Sequence, residues 1–233
     1  MRRFPLMVFA AGFGTRMGAL TADRPKPLVP VAGRALIDRT LDLVPDAGCS
    51  QVIVNLHYRG DMLADWLKGR DVTLSWEHDQ ILETGGGLKA ALPLLGLGPI
   101  MCLNSDAIWR GPNPLAMLAE AWEDHIGALL LVGRTEQLDG RGSPAADFRM
   151  APDGRLTRAG GASEGVVFLG AQIIRQEPVA AWPERVFSLN RIWDRLIAEG
   201  RLFGLTYPGR WCDVGSPAGL AAAEAMLAGQ ADG

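Results

Sequence analysis

The sequence predicts an α/β protein with a doubly wound, mostly parallel, Rossmann-like mixed sheet. Three observations carry that expectation. Short continuous apolar runs, Val52-Ile53-Val54 and Ile100-Met101-Cys102-Leu103 among them, suit strands buried on both faces, where polar alternation disappears. Between the runs stand segments with apolar residues at helical spacing, so strand and helix alternate as a parallel sheet requires. The first run, 4–9, passes directly into a loop of small residues and cations, and such sheets gather ligands at the carboxyl ends of their strands. The 233 residues, 48% hydrophobic and 21% charged, are enough for one substantial core. They read as one domain over 1–233, with a lid-like β insertion at about 135–164 and no internal repeat.

The elements follow in order. The loop after the first strand, carrying Arg16 and Lys26, is expected to be extended and wrapped, and 28–31 then leads into a turn at Gly33. Leu36, Ile37, Thr40, Leu41 and Val44 then repeat as one helix face, closed by Pro45 and Gly48. A strand at 51–55 precedes a helix carrying Met62, Leu63, Trp66 and Leu67, and 72–76 is the next strand. The helix at 87–95 turns Leu88, Ala91, Leu92 and Leu95 to one side, and 100–103 is again a buried strand. Asn113-Pro114 is a good helix start, a capping side chain followed by proline in the first turn. Leu115, Leu118 and Trp122 face inward there, and 126–132 is a long strand. The rhythm breaks after Arg134. Residues 135–162 are polar and rich in turns, with short strands near Phe148 and Leu156 expected as a hairpin laid over the sheet. Strands at 166–168 and 171–174 resume the sheet. A helix through Leu189, Ile192, Trp193, Leu196 and Ile197 follows, then a strand at 202–206. Ser216-Pro217 opens a last helix that runs to Leu227.

The loop after the first strand carries the chemistry. Ala10, Ala11, Gly12, Gly14 and Thr15 keep side chains small, so backbone can approach a ligand and aim N–H groups at anionic oxygens. Arg16 offers a planar fork and Lys26 a point charge, so the implied ligand is a polyphosphate. A Walker loop is excluded because its Gly-Lys-Ser/Thr string is absent. A dinucleotide fingerprint fails too: Gly12, Gly14 and Gly18 are spaced one residue too long, and Pro25, Pro27 and Pro30 forbid the helix that must follow. That also removes a nicotinamide-dependent oxidoreductase. A bound triphosphate calls for a divalent metal with oxygen ligands at strand ends. Asp106, after 100–103, and Asp213, between Trp211-Cys212 and Val214-Gly215, are the candidates.

Gly-Phe-Gly-Thr-Arg-Met at 12–17 with Pro-Lys-Pro at 25–27 resembles the signature of the sugar-1-phosphate nucleotidyltransferases. Ala19 departs from the proline usual there. Asn104-Ser105-Asp106 and Trp211-Cys212-Asp213-Val214-Gly215 resemble that family's two metal motifs, with Ser105 where glycine often stands. Leu82-Glu83-Thr84-Gly85-Gly86-Gly87 resembles its nucleobase loop, in a form close to that of the N-acetylmuramate-1-phosphate uridylyltransferases and also met in guanylyltransferase-like relatives. The resemblance implies a nucleoside triphosphate and a sugar 1-phosphate as substrates, with pyrophosphate released. It implies Mg2+ on Asp106 and Asp213, Arg16 on the leaving pyrophosphate, and Lys26 on the α-phosphate. Nucleotide contacts are expected at Ala10, Ala11, Gly12, Gly14, Thr15, Arg16, Lys26, Glu77 (or its neighbour His78), Thr84, Gly85, Gly86 and Asn104, the glycines giving N–H groups to the base. Sugar contacts are expected at Gly142, Asp147, Glu164 and Asn190. N-acetylmuramate 1-phosphate with UTP is the first expectation, ahead of mannose 1-phosphate with GTP and glucose 1-phosphate with UTP or dTTP. Its lactyl carboxylate calls for a cation or free backbone N–H groups, and Arg141, Arg149, Arg155 and Arg158 in the lid-like segment are the candidate cations. A nucleotide-binding sensor without turnover is the reading from another class; the presence of both cations and both aspartates gives it no support.

The remaining signals set boundaries. A net charge of −3 argues against a nucleic-acid surface, and no apolar run is long enough for a membrane span. Cys49, Cys102 and Cys212 are odd in number and scattered, without zinc spacing or a disulfide framework, as expected of a cytoplasmic protein. Met1-Arg2-Arg3 and the apolar run imitate a secretory signal, but cleavage would remove the strand that presents the loop. His57 and His125 are expected to be structural. The end at Gly233 leads to the expectation of a single activity, without an acetyltransferase domain, in a monomer or small homo-oligomer.

Overall fold

In the computed structural model, residues 2–134, 138–139 and 145–229 are described. The chain begins with β1 (Leu6–Phe9), a small β2–β3 hairpin (Pro30–Val31, Arg34–Ala35), α1 (Leu36–Leu41) and α2 (Val44–Ala47). Next come β4 (Val52–Leu56), α3 (Gly60–Trp66), β5 (Thr73–Trp76), α4 (Glu83–Leu95), β6 (Ile100–Asn104), β7 (Ala107–Arg110) and α5 (Pro114–Ala121). The middle holds β8 (Ala128–Arg134), β9 (Leu138–Asp139), β10 (Phe148–Met150), β11 (Leu156–Arg158) and β12 (Val166–Ile174). The chain closes with α6 (Gln176–Ala180), α7 (Leu189–Ala198), β13 (Leu202–Thr206), β14 (Arg210–Asp213) and α8 (Pro217–Ala228).

Strand β1 is central because it is apolar on both faces. It pairs in parallel with β4 on one side and β6 on the other. The row runs β5-β4-β1-β6-β12-β8-β13, and within it only β12 lies antiparallel. With the β10–β11 hairpin the sheet has nine strands, mixed and mostly parallel as expected. Period-2 alternation sends Leu6 and Val8 to one layer, with α5, and Met7 to the other, with α4 and α7. Helices thus cover both faces, which explains why the central strands are largely apolar, with Asn55 in β4 and Gln172 in β12 as buried exceptions. A second sheet, β7-β14-β9, packs with α8 and the phosphate loop around Met17, Cys212 and Val214.

Several local expectations are corrected. The helix expected through Val44 stops at Leu41, and Pro45 falls in the first turn of α2, where its missing N–H costs nothing. The extended loop is instead wound into 3₁₀ turns at Thr15–Thr21 and Lys26–Leu28, with Gly14 and Gly18 at φ 65 and 57. Helix α4 starts at Glu83, so the three glycines lie inside it. The β10–β11 hairpin, in contrast, is laid over the sheet as expected. Phe148 pairs with Val166 of β12, and the far end crosses to β13, where the Gly204 N–H donates to the Gly154 carbonyl at 2.8 Å and a Cβ on Gly204 would meet Leu156 and Met150. Among the described residues, no helix is long and apolar enough to cross a membrane.

Met7 is fully buried between β1 and the α4–α7 layer. Its replacement by alanine leaves a cavity that neighbours on adjacent strands cannot close. The expected loss is about 2–5 kcal/mol in urea denaturation.

Candidate active site

Three adjoining cavities open at the carboxyl end of β1, and Phe9 lines all of them. The first lies on the glycine-rich loop, bounded by Ala10, Gly12, Gly14, Thr15, Arg16 and Lys26, and by Ser105, Asp106 and Gly215 across from them. Local packing fixes the loop's shape. The Thr21 hydroxyl donates to the carbonyl of Gly14 at 3.0 Å, while Met17, 1% exposed, plugs into the cluster under the second sheet. A Cβ on Gly14 would stand 3.0 Å from Lys26 Cβ, so the glycine permits both the left-handed turn and the approach of Lys26.

The second sheet brings the aspartates together. β7 and β14 are antiparallel with Ala107 opposite Asp213, and the Val214 N–H donates to the Asp106 carbonyl at 2.8 Å. The Ser105 hydroxyl donates to Phe9 O at 2.7 Å and holds the turn against β1. Lys26 Nζ lies 2.6 Å from Asp106 Oδ2, with the two side chains 12% and 29% exposed. Arg16 sits further out, 3.9 Å from Asp213 Oδ2. A Cβ on Gly215 would fall 2.6 Å from the Arg16 guanidinium and 2.9 Å from both Asp213 carboxylate oxygens, so a side chain there would fill the space between the carboxylate and the arginine. Among the described residues no cluster of three or more His, Cys, Asp or Glu side chains forms. Two hard carboxylates beside a phosphate-sized cavity fit Mg2+, which keeps several waters and shares its remaining positions with substrate phosphates.

The second cavity is walled by Asn55, Glu77, Ile81, Glu83, Thr84 and Asn104. Glu77 is 3% exposed, and its two oxygens accept from Asn55 Nδ2 and from the Leu82 N–H, each at 2.7 Å. Asn55 Oδ1 in turn accepts from the Ala10 N–H at 2.7 Å. This relay ties the phosphate loop to the start of α4, and Gly87 is part of it, since a Cβ there would lie 2.7 Å from Glu77 Oε1. The expectation that Gly85 and Gly86 present free N–H groups to a base is corrected. Both donate to the Phe187 carbonyl, at 2.8 and 3.0 Å, and they are glycines because a Cβ would strike Phe187 or Arg185 O at 2.4 and 2.3 Å. Glu77 lines the cavity, whereas His78 is exposed and stacked on Trp76.

The third cavity adjoins the second across Thr84 and Asn104 and takes Asp147, Arg158, Gln172, Asn190 and Trp193 as walls. Asp147 Oδ2 accepts from the Phe168 N–H at 3.0 Å. Ser188 caps α7, and its hydroxyl oxygen also accepts from the Asn190 side chain at 3.0 Å. Glu164 is exposed and lines none of these cavities, because the turn before β12 carries it to the surface. Gly142 and Arg141 lie outside the described residues.

Residues 6–199 match the MobA-like NTP transferase domain. The chain belongs to that family. It is 42% identical to the N-acetylmuramate alpha-1-phosphate uridylyltransferase of Caulobacter vibrioides, over 95% of this chain and 96% of that one. It is 32% identical to the protein of the same name from Neisseria meningitidis serogroup B, over 94% and 96%. Among solved structures it is similar to HddC from Yersinia pseudotuberculosis complexed with GMP-PN, at TM-score 0.77 and 18% identity over 96% and 99% of the chains. A UDP-glucose pyrophosphorylase complexed with UDP-glucose superposes at TM-score 0.79 with 16% identity, over 98% and 100%.

Other reactive groups of this NTP transferase are occupied structurally. His57 Nδ1 lies 2.6 Å from the Glu77 carbonyl, and His125 is stacked edge-on against Phe203. Burial pushes the Cys49 thiol up to about 11 and raises Cys102 as well, so neither is a nucleophile near neutral pH. Sequence reasoning missed Asn55, Gln172 and Trp193. A polar residue at the end of a buried apolar strand is the signal that finds Asn55.

Replacing Asn55 with alanine leaves the Ala10 N–H and Glu77 Oε1 without this partner. The expected cost is about 1–3 kcal/mol for each orphaned group, read as a lowered urea midpoint.

Proposed function

We propose that this chain transfers a uridylyl group from UTP to the phosphate of N-acetylmuramate α-1-phosphate, forming the UDP-sugar and releasing pyrophosphate. The observation that carries the proposal is the 42% identity to the Caulobacter vibrioides uridylyltransferase over 95% of the chain. At the coarser level the chain is a sugar 1-phosphate nucleotidyltransferase. The reading places it in the cytoplasm, where UTP is made and used.

The nucleophile is a phosphate oxygen of the sugar phosphate. It is already an anion near neutral pH, so no general base is needed. It forms a bond to the α-phosphorus of UTP, the bond from that phosphorus to the bridging oxygen breaks in line, and pyrophosphate leaves with the electron pair. The protein contributes position and charge. Lys26 exchanges Asp106 for the α-phosphate and the incoming phosphate. Arg16, 69% exposed at the mouth of the first cavity, takes the leaving pyrophosphate. The small residues at 10–15 let backbone reach the polyphosphate, and Glu77 with Thr84 borders the base. Asp106 and Asp213 are the residues that would hold Mg2+, which supplies charge compensation to the phosphate oxygens when bound.

A turnover and thermal-shift screen of the common nucleoside triphosphates against N-acetylmuramate, mannose and glucose 1-phosphates tests the substrate pair. UTP with N-acetylmuramate 1-phosphate is expected to be fastest. A faster reaction of GTP with mannose 1-phosphate would overturn the substrate while keeping the reaction class.

The Lys26→Met variant is expected to lose more rate than stability. A charge-assisted contact to phosphate is worth about 1.5–3 kcal/mol, so kcat/KM should fall at least 10-fold, and equal turnover would show Lys26 to be a structural partner of Asp106 only. Pyrophosphate release should also stop with excess chelator and return with Mg2+. Persistent turnover in chelator would remove the metal from this mechanism.

A further inference from the structure

The third cavity contains a fixed cation whose surroundings do more than neutralise it. Arg158 stands opposite Phe148 across the β10–β11 ladder, and its guanidinium lies 4.8 Å from that ring and 5.8 Å from Trp193. Its Nε donates to Asp194 Oδ1 at 2.7 Å and its NH2 to the Asn190 carbonyl at 3.2 Å. A guanidinium has five N–H donors in a planar fork. These bonds to described residues use one at Nε and one at a terminal nitrogen, so two rings and two acceptors hold the plane while donor capacity remains. No other lysine or arginine among the described residues lines this cavity. The other arginines of the segment are placed elsewhere: Arg155 is held by Asp153 and the Gly200 carbonyl, and Arg149 is exposed.

We propose that Arg158 selects a sugar 1-phosphate bearing a carboxylate, by pairing with the lactyl group that distinguishes N-acetylmuramate from N-acetylglucosamine. The inference rests on the function proposed above and names the residue behind its substrate choice. A planar fork already held in place loses little freedom on meeting a carboxylate, which suits it to paired hydrogen bonds better than a mobile lysine. Asp147, the carboxylate on the same cavity, accepts from the Phe168 amide. Asp194 remains the outer partner of Arg158. A sugar phosphate without the lactyl carboxylate offers these donors only neutral oxygens, which accept more weakly than a carboxylate.

The test compares kcat/KM with UTP for N-acetylmuramate α-1-phosphate and N-acetylglucosamine α-1-phosphate, measured on each variant so that a general loss of folding cancels in the ratio. The ratio should favour the lactyl sugar in the wild type. It should fall about 10- to 150-fold in Arg158→Gln, the span of one charge-assisted hydrogen bond, mainly through KM. Arg158→Lys should recover part of the fall, and Asp194→Asn, which keeps the cation, should leave the ratio within about threefold. A wild type that favours the lactyl sugar with a ratio unmoved by Arg158→Gln overturns the role of Arg158 and leaves the proposed function standing. A wild type that turns over neither sugar phosphate, or shows no preference for the lactyl one, overturns both.

Discussion

The Lys26–Asp106 contact, 2.6 Å between two partly buried side chains, is the constraint on which the site depends. Lys26 comes from the loop after β1 and Asp106 from the turn after β6, so one ion pair joins two parts of the chain eighty residues apart. Leaving either charge alone in that space would be costly, because a partly desolvated ion without a partner has lost its hydration with nothing in return. The pair keeps the cavity electrically balanced until a phosphate enters. Under the proposed function both groups would gain new partners together, the ammonium taking phosphate oxygens and the carboxylate turning to a cation. Free and loaded protein would then use the same residues in different pairings, and the energy of binding would not have to cover a buried, uncompensated charge.

This balance depends on backbone placed by elements that have no charge of their own. The second sheet sets Asp213 beside the residue after Asp106, and the bond from the Val214 N–H to the Asp106 carbonyl locks that register. Buried Met17 and Met226 pack beneath it with Val214 and Cys212. The Asn55–Glu77 relay performs the corresponding task at the second cavity, where Ala10 N–H, two side chains and Leu82 N–H form a continuous hydrogen-bonded path from the loop to α4. A buried network of this kind is rigid because every lost bond strands a polar group. Preorganised charge and dipoles are what phosphoryl transfer asks of a protein.

Legibility in the sequence followed the range of the interactions. The loop from Ala10 to Lys26 was readable because its chemistry is local: small residues, two cations and prolines leave few backbone paths. The alternation of strands and helices was readable because burial on both faces writes continuous apolar runs. What could not be read were pairings between distant segments. Nothing near Glu77 shows that Asn55 will bind it, and nothing in Gly85-Gly86 shows that Phe187 will take both N–H groups. The glycines signalled close backbone approach correctly, but the approaching partner was the chain itself. For Glu164 the residue type fitted a sugar contact while the turn that bears it faces solvent, a property set by how β12 enters the sheet.

Strand β12 shows how one irregularity serves two cavities. Its pairing with β8 shifts between Phe168 and Gln172, and Gly170 within the shift has φ +87. A residue with a Cβ would be strained there, and the atom would stand 3.0 Å from Asn104 Cβ and 3.1 Å from its Nδ2. The bulge therefore makes the room that Asn104 occupies at the end of β6. From that position Asn104 borders both the second and the third cavity, as Thr84 does from the other wall. Beyond the shift β12 aligns with β6, and before it the strand reaches out to carry β10 and with it Phe148 and Arg158. The single antiparallel strand of the row thus fixes the distance between the second cavity and the wall that carries Arg158. A regular strand in its place would clash with Asn104 and join the hairpin in a different register, so the two halves of the site are held in step by backbone geometry at Gly170.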